Sequence, residues 1–386
     1  MKIRGYLRPD GRVGIRNYLL IIPSVVCAND VVRMISDRLA GSVYVQHQHG
    51  CAQFPDDEAQ TRRTLAGFGK NPNVGACIVV GLGCEGTPAK AVAEEIGKSG
   101  KPVEYLVIQE EGGTVNTTAR GVKIGRKMLQ DLSAQARSEQ DIGSITIGLE
   151  CGGSDAWSGV SGNPSMGVAS DMHIMNGGTS ILSETTEIIG AEHLLAKRAV
   201  SDEVAGKLLE IVKKREKSAV DSGVNMRDAN PSPGNKAGGL TTIEEKSLGC
   251  IQKAGSKAKL REVVGYAETP SEKGLVFMDT PGHDIESITG MAAGGAQLIL
   301  FTTGRGTCTG CPIAPVIKIS SNSATFTKMA DNIDIDTGGI IEGKRDIQEM
   351  GAEIYDEVIA VCSGKTTKTE ELGLCSFAIA RMSPTQ

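Results

Sequence analysis

The fold is decided by the stretch Phe277-Met-Asp-Thr-Pro-Gly-His-Asp-Ile-Glu-Ser-Ile-Thr-Gly290, in which a short apolar run ends in a cluster of ionisable residues. Asp279, His283, Asp284 and Glu286 offer acids, bases or metal ligands after this run. Two further apolar runs end in the same way, namely Ala296–Phe301 before Arg305 and Pro315–Ile319 before Ser321 and Asn322. Rigid strands that end in polar loops are typical of the catalytic edge of a parallel sheet.

Outward from this stretch, strand-length apolar runs alternate with helical segments along the chain. This alternation predicts two α/β domains, each Rossmann-like with a mostly parallel sheet. We expect an N-terminal α/β domain over residues 1–220, in which cysteines lie in glycine-rich turns. The proline- and glycine-containing residues 221–240 are expected to form a linker or an ordered loop. Residues 241–386 are expected to form the C-terminal α/β domain.

The composition excludes several classes of protein. The 386 residues carry a formal net charge of −5 and no basic run, which argues against nucleic acid or an anionic membrane as a partner. Ten cysteines in a chain of this length do not indicate a disulfide scaffold, so we expect a reducing, cytoplasmic environment. The apolar run Tyr18–Cys27 follows several arginines as a secretion signal would, but Pro23 and its shortness favour a first β-strand.

Three cysteines form a candidate metal site, because Cys51, Cys84 and Cys151 each follow a predicted strand and lie beside glycine. The carboxyl ends of parallel strands meet at one edge of a sheet, so these thiols are predicted to converge. Three thiolates suit an iron–sulfur cluster or another soft metal. Nearby residues that could ligate iron or take a proton are His47, His49, Glu85 and Glu150. The alternative is that each cysteine is a small buried apolar residue.

Two other motifs leave alternatives open. The turn Gly81-Leu-Gly-Cys-Glu-Gly86 follows a predicted strand and opens a helix, which is the dinucleotide-binding pattern that presents bare amides to phosphate. Cys84 and Glu85 inside the turn weaken this interpretation. The pair Cys308 and Cys311 has the spacing of a metal or redox motif, but a single pair also fits a structural or accessory role.

Several long motifs resemble the altronate/galactarate dehydratase family, which also includes the large subunit of sulfolactate sulfo-lyase. They are Gly5-Tyr-Leu-Arg-Pro-Asp-Gly-Arg-Val-Gly-Ile-Arg-Asn-Tyr18, the glycine turn with Cys84, Gly148-Leu-Glu-Cys-Gly-Gly-Ser-Asp155, Asp279-Thr-Pro-Gly-His283 and Leu300-Phe-Thr-Thr-Gly-Arg-Gly306. The first motif starts at residue 5, whereas single-chain members carry a small SAF domain before it. The resemblance therefore implies a separate small SAF-domain subunit as a partner, and we also expect an oligomer.

The resemblance implies an iron-dependent lyase, with Fe²⁺ or an iron–sulfur cluster, that removes water from a sugar acid to give a 2-keto-3-deoxy acid. Sulfolactate sulfo-lyase chemistry, which releases sulfite and pyruvate, is the alternative, and a dinucleotide-binding protein is an alternative of another class. In this fit His283 is the base, with His49 as second choice, and Arg305 binds the substrate carboxylate. The expected hydroxyl-binding residues are Ser154, Asp155, Ser321 and Asn322, and the expected metal ligands are Cys51, Cys84, Cys151, His47 and Glu85.

Overall fold

The computed structural model describes the whole chain, Met1–Gln386. In its first third, apolar strands alternate with helices. The elements are β1 (Lys2–Leu7), β2 (Val13–Gly14), β3 (Tyr18–Pro23), α1 (Asn29–Ser36), β4 (Ser42–Tyr44), α2 (Pro55–Lys70), β5 (Val74–Gly81), α3 (Ala89–Gly97), β6 (Val103–Val107), α4 (Thr114–Ser133) and β7 (Ser138–Asp141). Four of these strands form a parallel sheet in the order β4-β3-β5-β6. Strand β1 pairs antiparallel with both β2 and β7.

Strands from the rest of the chain form a second, larger parallel sheet. Its strands run in the order β10-β11-β9-β8-β12-β13-β14. The elements are β8 (Thr146–Cys151), α5 (Gly162–Met175), β9 (Thr179–Leu182), α6 (Glu192–Ala196), α7 (Asp202–Asp221), α8 (Met226–Ala229), α9 (Pro233–Ala237), α10 (Ile243–Ile251), β10 (Leu260–Val264), β11 (Leu275–Met278), α11 (Asp284–Ala293), β12 (Leu298–Thr303), β13 (Val316–Ser320), α12 (Ser323–Lys328), β14 (Ile335–Asp336), α13 (Ile347–Cys362) and α14 (Lys368–Glu371). Its central strands are continuous apolar runs because helices cover both faces.

Three apolar clusters arrange the molecule as alternating layers of helices and sheets. Helices α1 and α4 cover the outer face of the four-stranded sheet. Helices α5, α7 and α13 cover the outer face of the seven-stranded sheet. The middle cluster contains residues of both sheets, such as Leu20 and Ile299, with α2, α3 and α11 between them. The two sheets therefore share one hydrophobic layer, and α11 belongs to it.

Both predicted α/β sheets are confirmed, but the structure divides the chain at a different place from the predicted boundary. Leu275 of β11 pairs with Ser180 of β9, so strands from both sides of residues 221–240 lie in one sheet. The sheets separate between β6 and β8 instead. Residues 221–240 contain α8 and α9, and their proline and glycine content reflects these short helices and turns. No helix is both long and apolar enough to cross a bilayer.

Candidate active site

A cavity of about 710 Å³ opens at the carboxyl ends of the central strands of the seven-stranded sheet. Loops after β8, β9, β11 and β12 line it, as the strand-end rule for parallel sheets predicts. Residues of α8, of α9 and of the segment between them also line it, among them Asn230 and Asn235. The segment that the sequence suggested as a linker is therefore a wall of this cavity.

Three carboxylates converge beside the cavity, where Glu184 and Asp284 line it and Glu150 is fully buried next to them. Glu150 is the penultimate residue of β8, Glu184 lies in the turn after β9, and Asp284 is the first residue of α11. One oxygen from each side chain lies within 4.8 Å of the others. Glu184 adopts a left-handed backbone conformation, with φ of 68°, which is uncommon for a residue other than glycine and aims its side chain into this cluster.

The three carboxylates form a candidate cation site. Burial, followed by the charge of Glu184, raises the pKa of Glu150 well above its usual value. The same two causes raise the pKa of Asp284 to about 6. Oε1 of Glu150 is buried and has no hydrogen-bond partner. Because buried polar atoms are almost always paired, this oxygen and its two neighbouring carboxylates fit a bound metal ion.

One buried lysine already neutralises part of this negative charge. Lys253 is fully buried, and its ammonium donates to Glu184 Oε2 and to Cys151 Sγ, which lies 3.1 Å from Nζ. Burial opposes the charge of Lys253, but Cys151 and Glu184 raise its pKa well above the usual value. Cys151 also lies 3.4 Å from Cys250, measured between the sulfurs. The thiol predicted as a metal ligand is therefore engaged with an ammonium.

A second lysine faces the open part of the cavity. Lys246 Nζ lies 2.7 Å from Glu187 Oε2 and donates to the side-chain oxygen of Asn230 at 3.1 Å. Burial opposes its charge, but Glu187 raises the pKa of Lys246 above the usual value. Lys246 is therefore a fixed cation beside the carboxylate cluster, where it can meet an anionic ligand.

Three further predicted residues line this cavity. His283 precedes α11 and has a side chain 61% exposed, with Nδ1 3.7 Å from Glu286 Oε2. Arg305 follows β12, is exposed, and donates to the carbonyl of Gly234. Ser154 follows β8 and contributes to the wall. An imidazole and a guanidinium therefore line the same cavity as the carboxylates of Glu184 and Asp284.

The remaining predicted hydroxyl-binding residues lie together but bond one another. Asp155 accepts from Ser321 Oγ at 2.8 Å and from Asn322 Nδ2 at 2.9 Å. Asn322 also caps α12 by accepting from Thr325 N. None of these three side chains lines the cavity that contains His283 and Arg305. They hold the loops after β8 and β13 together, and only Ser154 of the predicted set reaches the cavity.

The structure does not bring the three predicted thiol ligands together, because they belong to different sheets. Cys51 and Cys84 are exposed on loops at the edge of the four-stranded sheet, whereas Cys151 ends a strand of the other sheet. His47 is buried, with Nε2 2.8 Å from the carbonyl of Pro23. Only the three carboxylates form a group of metal-ligating atoms at close range. His49 lines a separate cavity of about 500 Å³ beside Arg381.

In the glycine turn that suggested dinucleotide binding, the carboxylate of Glu85 accepts the hydrogen bonds of the backbone amides. Glu85 Oε2 accepts from the amides of Gly83 at 2.6 Å and Cys84 at 2.9 Å, and Oε1 accepts from Ser24 Oγ at 3.0 Å. Burial favours the neutral acid, but these donors hold the pKa of Glu85 below its usual value. The amides that a phosphate would need therefore donate to Glu85 instead.

Sequence reasoning missed three charged residues of the site. Glu184 was visible as an acid beyond a strand, which is the signal that had selected Asp284. Lys246 and Lys253 gave no such signal, because they come from α10 and the turn after it rather than from a strand end.

Comparisons with known proteins agree with this division of the chain. The family model described as D-galactarate/altronate dehydratase, C-terminal, matches residues 142–385, and the model described as D-galactarate dehydratase/altronate hydrolase, second domain, matches residues 5–133. These ranges correspond to the two parallel sheets.

Three similar proteins have functional names. The (2R)-sulfolactate sulfo-lyase subunit beta of Chromohalobacter salexigens is 36% identical over 98% of this chain and 97% of its own length. The altronate dehydratase of Escherichia coli is 35% identical over 98% of this chain and 77% of its own length. The galactarate dehydratase (L-threo-forming) of the same organism is 36% identical over 96% and 74%, respectively. All three names denote lyases, the predicted reaction class. With both sheets matched and relatives similar along almost all of its length, the chain belongs to the D-galactarate/altronate dehydratase family.

Proposed function

We propose that this protein is an iron-dependent lyase that removes water from a sugar acid, an altronate-type aldonate or galactarate, and gives a 2-keto-3-deoxy acid. The observation that carries the proposal is the convergence of Glu150, Glu184 and Asp284, two of which line a cavity that also contains two cations and an imidazole. A polyhydroxylated acid needs such a mixture, because its carboxylate requires cations and its α-proton requires a base.

Glu150, Glu184 and Asp284 would hold the metal ion, since their oxygens are close together and one of them has no other partner. Carboxylate oxygens suit Fe²⁺, Mn²⁺ and Mg²⁺ better than a thiolate-preferring metal, and iron is the ion that we propose. When bound, the ion would polarise the substrate carboxylate and stabilise the negative charge that develops as the α-proton leaves.

Arg305 and Lys246 would bind the acidic end of the substrate. A guanidinium can bind a carboxylate through two parallel hydrogen bonds, and Arg305 is exposed in the cavity wall. Its present partner is a neutral carbonyl, that of Gly234, which an anionic ligand can replace. Lys246 is held in place by Glu187 and adds a second positive charge without having to move.

His283 is the proposed base for the α-proton. Its imidazole lines the cavity, and the carboxylate of Glu286, 3.7 Å from Nδ1, is close enough to stabilise the charge of the imidazolium that forms. The other ring nitrogen would then face the substrate. The same imidazole can return a proton to the departing hydroxyl, because both groups leave from adjacent carbons of the substrate.

Sulfolactate desulfonation is the second candidate function. It is favoured by the relative that matches almost end to end and carries that name, including the words "subunit beta". In this reaction a sulfite group leaves instead of hydroxide, while His283 and the cations keep the same roles. The relative's name also supports our proposal that a small second subunit takes part in the active enzyme.

An assay for 2-keto acid and sulfite release tests both reactions. The protein, alone and co-expressed with a candidate small subunit, is supplied with altronate, galactarate or (2R)-sulfolactate, after chelation and after addition of Fe²⁺. We expect keto acid without sulfite from a sugar acid, iron-dependent turnover, and its loss in His283→Asn. Sulfite release from sulfolactate alone would select the second candidate. Metal-independent turnover, or a fully active His283→Asn variant, would contradict the mechanism.

A further inference from the structure

A chain of buried hydroxyl groups lies directly beneath the carboxylate cluster. Ser287 Oγ donates to Glu150 Oε2 at 2.7 Å. Thr280 Oγ1 in turn donates to Ser287 Oγ at 3.0 Å and accepts from the amide of Glu184 at 2.8 Å. Ser287, Thr280 and Glu150 are each 0% exposed, so water cannot replace any of these bonds.

The backbone N–H of Glu184 donates to Thr280, Thr280 donates to Ser287, and Ser287 donates to Glu150. Thr280 Oγ1 also lies 3.2 Å from the carbonyl of Pro281, which is a second acceptor for its single proton. Ser287 gives its own proton to the carboxylate of Glu150 and can only accept from its other neighbours. One bonded oxygen of Glu150 is thereby fixed, and the other, Oε1, remains without a partner.

The chain also connects the cluster to α11. Ser287 lies three residues after Asp284 in this helix, so both side chains lie on the same helix face. The first turn of α11 therefore carries one carboxylate directly and contacts the second through Ser287. Through Thr280 it reaches the backbone of the third, Glu184, whose left-handed conformation needs an external constraint to persist.

We propose that Ser287 is a positioning residue for a divalent cation bound by the carboxylate cluster. It orients the free oxygen of Glu150 toward the ion. Through Thr280, it also holds the backbone of Glu184 so that the carboxylate of Glu184 faces the same ion. This inference rests on the proposed metal site, because it assigns a role to a residue that touches the ligands and not the substrate. Partners of metal ligands of this kind change metal affinity by about 10- to 100-fold when they are removed.

Metal binding by the isolated protein tests the inference without an activity assay. Mn²⁺ alone is titrated into chelator-treated protein, and the free ion is followed by electron paramagnetic resonance. Ser287→Ala is expected to weaken Mn²⁺ binding by about 10-fold or more. The matched control is Ser183→Ala, because Ser183 Oγ lies 2.9 Å from Ser287 Oγ but contacts no carboxylate of the cluster. Its Mn²⁺ affinity is expected to stay within about twofold of the wild-type value, since no ligand loses a partner.

Thr280→Val provides a second variant if Ser287→Ala does not fold. It keeps the shape of the side chain but removes the acceptor of the Glu184 amide, and it should also weaken Mn²⁺ binding. Equal affinity of the wild type and both variants would overturn the positioning role while leaving the proposed metal site intact. A wild-type protein that binds no Mn²⁺ would overturn the metal site itself, and the inference with it.

Discussion

Lys253→Met tests whether the ammonium of Lys253 compensates the buried negative charge of Glu184. Lys253 is fully buried, and its ammonium is shared between Glu184 and Cys151. Methionine has a similar length and fills much of the same space, but it has no charge and no donor. The variant therefore leaves the packing nearly unchanged and removes the only lysine charge in contact with Glu184.

The expected loss of stability follows from burial. Removing one partner of a buried ion pair leaves the other charge uncompensated, which lowers the free energy of unfolding by about 3–5 kcal/mol. Glu184 is 1% exposed, so water cannot replace the lost ammonium. In chelator we expect this full loss. A divalent cation supplies a positive charge at the same cluster and should recover about 2.7 kcal/mol when present at 100 times its dissociation constant.

The measurement is urea unfolding followed by circular dichroism, with EDTA and with Mn²⁺. The matched control is Lys318→Met, because Lys318 is also 0% exposed but its Nζ has no hydrogen-bond partner. Burial lowers the pKa of Lys318 to about 8, and methionine there removes an unpaired amine, so stability should stay the same or rise. A loss in Lys253→Met no larger than that in Lys318→Met, or no recovery with Mn²⁺, would refute the reasoning.

Three further outcomes are expected. Cys84→Ser should leave the metal content unchanged in elemental analysis, because the Cys84 thiol is exposed on the other sheet. Loss of the metal in this variant would support the predicted thiol ligands. Lys246→Met should raise KM by about 10-fold or more, measured on protein that circular dichroism shows to be folded, because Glu187 also loses its ion-pair partner. A charged hydrogen-bond partner of the substrate contributes about 1.5–3 kcal/mol, so an unchanged KM would exclude substrate contact. Burial lowers the pKa of His173 to about 4. As pH falls, the unfolded state therefore binds a proton before the folded state does. The free energy of unfolding should drop by about 3 kcal/mol between about pH 6.5 and 4. His173→Gln should flatten that part of the stability profile in urea unfolding at several pH values; an unchanged slope would contradict this assignment.

The parallel strands were predictable because their sequences are apolar on both faces. β11, β12 and β13 fall where continuous apolar runs indicate them. Helix α5 was not predicted, because Gly162–Met175 follows a segment rich in glycine, serine and asparagine. Its formation depends on tertiary contacts: Gly167 packs so closely on the carbonyl of Gln252 that a side chain would not fit. Propensity alone does not contain this information.

The site was predictable only in part, for a similar reason. The rule that strand ends carry chemistry selected His283, Asp284 and Arg305, which all line the cavity. The same rule grouped Cys84 with Cys151, because it does not say which strands share a sheet. The strand-end rule does not select the residues that balance the carboxylate charge. Lys253 and Lys246 reach the cluster from a helix and the turn after it, and only the folded chain shows that contact.

Helix α11 explains how the four-stranded sheet can influence a site whose cavity it does not line. One face of the helix, with Asp284 and Ser287, belongs to the carboxylate cluster, while Ile288, Met291 and Ala292 pack into the layer that both sheets share. Gly67 of α2 lies against the carbonyl of Ala293, so closely that a Cβ there would be 2.4 Å from the oxygen. The C-terminal end of α11 is thus packed against α2. Because the other end of the same helix carries Asp284 and Ser287, this packing connects the four-stranded sheet to the carboxylate cluster.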